Sequence, residues 1–286
     1  MTIVKIIGGL GNQMFQYAYA KSLEQKGYEV KIDISAFKTY KLHDGYQLNK
    51  YNIDLKKSTE EEKNKYYSNT IFSKILRKIG VESSKAIKEK SLLYDETFLN
   101  IEDDNYIEGY FQSEQYFKNI RDILIEQFTI KQEVSNYTKE INNKIALSKN
   151  SCSIHIRRGD FVNTTNINIH GSCNLEYYKK AIKYLENKME NISYFIFSDD
   201  IAWCKKNIET KNAIFIDNEE KRIPHEDIYL MSLCSHNIIA NSSFSWWGAW
   251  LNQNENKMVI APKQWFVDKK MQQQSKDIVC EDWIRI

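Results

Sequence analysis

Four short stretches of this chain hold residues whose types and spacing suit chemistry. In His155-Ile156-Arg157-Arg158-Gly159-Asp160, His155 and Arg157 stand two apart, so on a strand both side chains point to one face. A guanidinium presents its N–H donors as a fork that grips phosphate or carboxylate with two bonds. Tandem arginines at a strand end imply something anionic for Arg157 to meet. The alternative is a salt bridge from Arg157 or Arg158 to Asp160 that merely braces the loop. Phe197-Ser198-Asp199-Asp200 sets two carboxylates side by side, which suits a metal, base recognition or helix capping. One of them can cap the helix that follows. The other is then free to accept hydrogen bonds from a purine edge.

The other two stretches are turns into helices. Asn241-Ser242-Ser243-Phe244-Ser245-Trp246-Trp247-Gly248-Ala249-Trp250 begins a helix with hydroxyls and unpaired amides, a seat for phosphate. Its tryptophans suit core packing better than a stacking platform. Gly8-Gly9-Leu10-Gly11-Asn12-Gln13 lets backbone approach a ligand closely, although it is not the GxGxxG fingerprint and a plain tight turn explains it as well. Glu226 and Asp227, just after Pro224, complement a helix dipole, and a carboxylate there could also touch a ribose.

The elements that position these stretches follow from periodicity. Ile3 to Ile7 reads as a strand, Met14 to Gln25 as a helix closed by Gly27, and Val30 to Ile34 as a second strand. From Ser151 to Ala261 strand and helix patterns alternate about five times, as in a parallel doubly wound sheet. Ligands bind beyond the carboxyl ends of such strands, so function belongs just after Ile7, Ile156, Phe197 and Ala240. Residues 56–90 hold ten Lys and Arg against five Glu. Within them Ile71, Phe72, Ile75, Leu76 and Ile79 form a stripe that packs inward or lies on an anionic membrane surface. Residues 36–120 carry no readable code for a substrate.

Composition narrows the classes. The chain has 286 residues, with 40 Lys and Arg against 38 Asp and Glu, a balance too even for a nucleic-acid binder. Its five cysteines never form a CxxC pair, which predicts reduced thiols and a cytoplasmic protein. No signal peptide and no apolar run of about 18–20 residues is visible. GxSxG, HExxH and GxxxxGK[ST] are all missing, as is the Asp-x-Asp of a metal-bound sugar-nucleotide site. His43, His170, His225 and His236 lack ligand spacing.

Taken in order, GGLGNQMFQYA, HIRRGDF, FSDD and NSSFSWWGAWL resemble the α-1,2-fucosyltransferases of glycosyltransferase family 11. The resemblance spans nearly the whole chain and is weakest over residues 40–100. The HxRRxD motif is shared with α-1,6- and protein O-fucosyltransferases, so it speaks for GDP-fucose more than for linkage. The resemblance implies an α/β, GT-B-like fold, two Rossmann-like domains facing across a cleft. Residues 1–145 would form the acceptor side and 146–286 the GDP-fucose-binding side. It implies inverting transfer of L-fucose from GDP-β-L-fucose to the 2-OH of a terminal galactose in a bacterial surface glycan such as O-antigen. No metal or other cofactor is expected, and no nucleic acid partner. Should the 71–79 stripe lie on a membrane rather than pack inward, contact with the inner membrane would be peripheral.

By the same resemblance, Arg157 binds the β-phosphate and Arg158 supports it or orders the loop. His155 contacts the guanosine, Asp199 reads the guanine edge, and Ser242 and Ser243 hold phosphate oxygens, with Phe244 beside them. Gly9, Gly11 and Asn12 approach the donor from the other domain. Asp160 is the candidate base within the motif, but pairing with two arginines would push its pKa down. The loop Asn163-Thr164-Thr165-Asn166 offers no carboxylate, so the base is open. A different linkage, or a carbohydrate-binding protein with a vestigial nucleotide site, are the competing readings.

Overall fold

The first strand, β1 (Thr2–Lys5), is a β-branched run, and all its neighbours in the sheet are parallel to it. The computed structural model describes residues 1–40, 44–66, 86–158, 171–217 and 223–286. The chain divides into two units, Met1–Thr129 and Ile130–Ile286. Among the described residues, no helix is long and apolar enough to cross a membrane.

In the N-terminal unit, α1 (Leu10–Gln25) follows β1, then β2 (Val30–Asp33), α2 (Glu60–Asn64), β3 (Ala86–Lys88), β4 (Tyr106–Glu108) and α3 (Arg121–Gln127). The sheet order is β2-β1-β4-β3. The chain thus leaves β1 toward one edge and returns to its other side, which puts the switch point between β1 and β4. Helix α1 begins at Leu10, not at Met14 as the periodicity predicts. The reason is local: Gly8 takes a φ of +92° and Gly9 serves as an extended N-cap, so Gly11, Asn12 and Gln13 already lie in the first turn. The other end matches expectation. Gly27 has a φ of +97°, its N–H donates to the Glu24 carbonyl at 2.9 Å, and Tyr28 N–H donates to the Leu23 carbonyl at 3.3 Å, a Schellman closure.

The C-terminal unit begins with α4 (Asn136–Leu147) and then runs β5 (Asn150–Ile156), α5 (Leu175–Glu186), β6 (Ile192–Ser198), α6 (Ile201–Asn207) and β7 (Ala213–Phe215). It continues with α7 (Pro224–Leu233), β8 (His236–Ile238), α8 (Ser243–Trp250), β9 (Val259–Ala261), α9 (Lys269–Gln274) and β10 (Ile284–Arg285). Its sheet is parallel throughout, in the order β10-β9-β8-β5-β6-β7. The strand–helix alternation predicted from Ser151 to Ala261 is present element for element.

The boundary falls earlier than the expected 145/146 division, because α4 belongs to the C-terminal unit. Glu226 in the first turn of α7 ties it there, accepting from Ser135 N–H at 2.9 Å, Ser135 Oγ at 2.6 Å and Thr138 Oγ1 at 2.6 Å. Burial pushes the Glu226 pKa up, but these hydrogen bonds outweigh it and hold the carboxyl below its usual range.

Trp246 and Trp247 are fully buried and Trp250 and Trp283 nearly so, packed ring against ring, with Trp246 Nε1 donating to the Ile278 carbonyl at 2.7 Å. The tryptophans are core, as their helical spacing predicts. A Cβ on Gly248 would sit 2.7 Å from Met231 Cβ, so α8 lies directly on α7 there. His236 is a core histidine, its Nδ1 accepting from Met258 N–H at 3.0 Å. All five cysteines are free thiols, and four of them are buried.

Candidate active site

The C-terminal sheet grows away from β5 in two directions, through β6 and β7 on one side and β8, β9 and β10 on the other. The switch point therefore lies between β5 and β8, where the loops leaving adjacent parallel strands diverge and open a crevice at their carboxyl ends. The loop after β5 carries Arg157 and Arg158. The loop after β8 carries Asn241, Ser242 and the start of α8. Two of the four sequence clusters thus flank one crevice, and Asp199 and Asp200, after β6, join them.

An ion pair joins Arg157 Nη1 to Asp199 Oδ2 at 3.0 Å. The other Asp199 oxygen accepts the Arg158 backbone N–H at 2.8 Å. Asp200 is the helix cap: its Oδ1 accepts Trp203 N–H at 3.0 Å, and its Oδ2 meets Arg158 Nε at 3.3 Å. The Arg158 guanidinium also lies over the Trp203 ring, 4.0 Å from its centroid. Arg158 is therefore a loop brace. Asp199, expected as the free carboxylate, is the anchor of Arg157, with a lone pair still left on each oxygen for a further donor.

His155, near the end of β5, is buried, its ring 5.4 Å from that of Phe244. Ser242 is the N-cap of α8, its Oγ accepting Phe244 N–H at 3.3 Å. Capping uses an acceptor lone pair and leaves the hydroxyl proton available to an anion. Ser243, half-buried, is the first residue of that helix. Asn241, given no role by the sequence, clamps the crevice wall: its Nδ2 donates to the carbonyls of Gly171 at 3.1 Å and Trp265 at 2.9 Å.

At the switch point of the N-terminal unit, sequence reading finds Gly9, Gly11 and Asn12 but misses what holds them. Gln13 Nε2 donates to the Gly8 and Gly45 carbonyls, both at 2.8 Å, while its Oε1 accepts Gln47 N–H at 2.9 Å. Gln16 Oε1 accepts Ile7 N–H and its Nε2 donates to the Gly109 carbonyl, each at 2.9 Å. Gln112 Nε2 donates to Asn12 Oδ1 at 2.8 Å, linking the rims of β1 and β4. Two glutamines three apart on an otherwise apolar helix face, both fully buried, are the signal that was available. Asp160, Gly159, His43, His170, the loop Asn163–Asn166 and the 71–79 stripe lie outside the described residues.

The family model for Glycosyl transferase family 11 matches residues 1–286. The chain belongs to glycosyltransferase family 11. Similar proteins of Escherichia coli include an alpha-1,2-colitosyltransferase, 38% identical, covering 100% of this chain and 99% of that one. Another is the O-antigen biosynthesis glycosyltransferase WbnK, 31% identical over 98% of each chain. Among solved structures, the fucosyltransferase NodZ from Bradyrhizobium matches 86% of this chain and 90% of its own, at 13% identity and a TM-score of 0.51. The fold of this family 11 glycosyltransferase is α/β and GT-B-like, built from two Rossmann-like units.

Proposed function

We propose that this chain transfers L-fucose from GDP-β-L-fucose to the 2-OH of a terminal galactose, with inversion, in a bacterial surface glycan such as an O-antigen. The observation that carries this reading is the crevice between β5 and β8, flanked by Arg157 after one strand and the capped start of α8 after the other, with the His155 and Phe244 rings 5.4 Å apart. A leaving diphosphate develops charge as the sugar–phosphate bond breaks. A fixed guanidinium and oriented helix-start amides stabilise that charge without reorganising. In this reading Arg157 takes the β-phosphate, Ser242 and Ser243 take phosphate oxygens, and Asp199 receives the guanine N1–H and N2–H₂ while steadying Arg157. His155 and Phe244 form the nucleoside wall, Gly9, Gly11 and Asn12 serve the sugar side, and the N-terminal unit presents the acceptor. Asp160 keeps its place as a candidate acid–base group of the motif. Because protein groups meet the diphosphate's charge, transfer is expected to continue in EDTA; loss that Mn²⁺ restores would contradict this.

A second donor has a specific observation in its favour, the full-length match to an alpha-1,2-colitosyltransferase. Colitose is fucose without its 3-hydroxyl. A site that hydrogen-bonds that hydroxyl rejects the deoxy sugar strongly, whereas an apolar site discriminates little. Incubation with each GDP-sugar and a panel of β-galactosides, followed by linkage analysis of the product, tests donor, acceptor and linkage together. Stabilisation by micromolar GDP but not by free sugars supports a transferase. The opposite pattern supports a carbohydrate-binding protein.

A further inference from the structure

The crevice between β5 and β8 opens where the pairing of these strands stops. Cys152, Ser153 and Ile154 pair with His236, Asn237 and Ile238, so Ile154 and Ile238 form the last pair. His155 and Ile239 are the first residues beyond the ladder on either side. Arg157 stands two positions past His155, and Ser242 three positions past Ile239. Whatever fixes the backbone at His155 and Ile239 therefore governs how these two candidate phosphate-binding groups are set.

Two adjacent tyrosines in the first turn of α5 hold those two positions. Tyr178 Oη donates to the His155 carbonyl at 3.2 Å. Tyr177 Oη shares its proton between the Ile239 carbonyl at 2.7 Å and the Ile260 carbonyl of β9 at 3.1 Å. One turn of helix thus ties β5, β8 and β9 at their carboxyl ends. The tyrosines are themselves held. Asn174, the N-cap of α5, accepts Tyr177 N–H at 2.9 Å, and the two rings meet edge to face with centroids 5.0 Å apart. Just ahead of them, Cys173 Sγ donates to Asn241 Oδ1 at 3.5 Å, so the same segment also reaches the residue before Ser242.

Packing alone does not call for these hydroxyls. Both rings are buried in the apolar core around Ile154, Ile196 and Ile238, where phenylalanine would fill the same space. Burial pushes both hydroxyls well above their usual pKa, so they stay protonated and remain donors. What they add is a fixed address for two carbonyls at the ends of diverging strands. Tyr194 on β6 offers a contrast in the same core, since its buried hydroxyl meets no hydrogen-bond partner among the described residues.

We infer that Tyr177 and Tyr178 are positioning residues of the diphosphate site, holding the ends of β5 and β8 so that Arg157 and the start of α8 take one diphosphate between them. This deepens the transferase reading above and rests on it. Neither tyrosine touches the nucleotide; each acts through the backbone of the strand it ties. A strand end released from its hydroxyl drifts, and a misplacement of about 1 Å in such a site costs on the order of 10²-fold at most.

The test measures GDP and GMP affinity by calorimetry for wild type, Tyr177→Phe, Tyr178→Phe and Tyr194→Phe, with the melting of each recorded. These variants keep the core filled and remove only a hydroxyl. Arg157 is read as holding the β-phosphate, which GMP lacks, so the ratio of GDP to GMP affinity reports that grip. A tyrosine that merely stabilises the fold would lower the melting temperature and leave the ratio alone. Expected is a fall in the ratio of about tenfold in Tyr177→Phe and in Tyr178→Phe, with Tyr194→Phe unchanged. A ratio within about twofold of wild type in both overturns the inference, as does an equal fall in Tyr194→Phe. If one variant does not fold, the other decides by the same ratio. If neither folds, the hydroxyls are determinants of the fold and the inference is overturned. A wild type that binds no GDP overturns the transferase reading itself.

Discussion

Arg157 and Asp199 meet as an ion pair at 3.0 Å across the ends of two neighbouring parallel strands, β5 and β6. Adjacent strands hold their C-terminal residues at a fixed spacing, so the guanidinium is set beside the crevice before any ligand arrives.

If Arg157 takes the β-phosphate as proposed, replacing it with Ala is expected to lower kcat/KM for the GDP-sugar by about 10²-fold or more, since one charge-assisted donor to the leaving diphosphate is lost. Lys in its place should recover only part, having no fork. Steady-state transfer kinetics check both, and near wild-type turnover in Arg157→Ala would remove the donor assignment.

Asp199→Asn retains the shape of the side chain but loses the charge that pairs with Arg157 and the acceptor pair proposed for guanine. GDP is expected to bind roughly 10–100-fold more weakly, with its preference over ADP reduced. Calorimetric titration with both nucleotides gives the answer, and unchanged discrimination would confine Asp199 to holding Arg157.

Glu226→Ala should destabilise the fold by about 1.5–3 kcal/mol, because Ser135 and Thr138 lose a charged acceptor. The pH dependence has a definite sign. The folded carboxyl titrates below its unfolded value, so its stabilisation is complete above the unfolded carboxylate range and fades as pH falls through the folded value. Denaturant midpoints between neutral and acidic pH should thus drop more steeply for wild type than for Glu226→Gln.

Gln13→Glu would aim a carboxylate at the carbonyls of Gly8 and Gly45, which now receive amide N–H groups. A loss of about 2–4 kcal/mol is expected from the unpaired buried groups. Melting with and without GDP checks it. Since Gln13 belongs to the N-terminal unit, the increment that GDP adds should persist.

The C-terminal unit was legible because its strands are fully buried apolar runs ending in polar clusters. The pattern of Ile154, Ile196 and Ile238 at the sheet centre says strand, and the residues after each say site. In the N-terminal unit, β3 and β4 have three residues each, too few for a period to declare itself. The role of Asp199 was half legible: two adjacent carboxylates predict one cap and one free group, but the pairing with Arg157 depends on strand order, which local sequence does not encode. The early start of α1 was hidden by Gly11, a poor helix residue that the first turn tolerates.

One consequence follows from where β8 stands. Its pairing with β5 joins Ser153 to Asn237, 84 positions apart, so this contact closes late relative to the local β5–β6 and β6–β7 crossovers. Until it closes, the proposed nucleotide site has Arg157 without the β8 loop that carries Ser242. The ability to capture GDP during refolding would therefore mark arrival at the finished state, trailing the growth of helical signal.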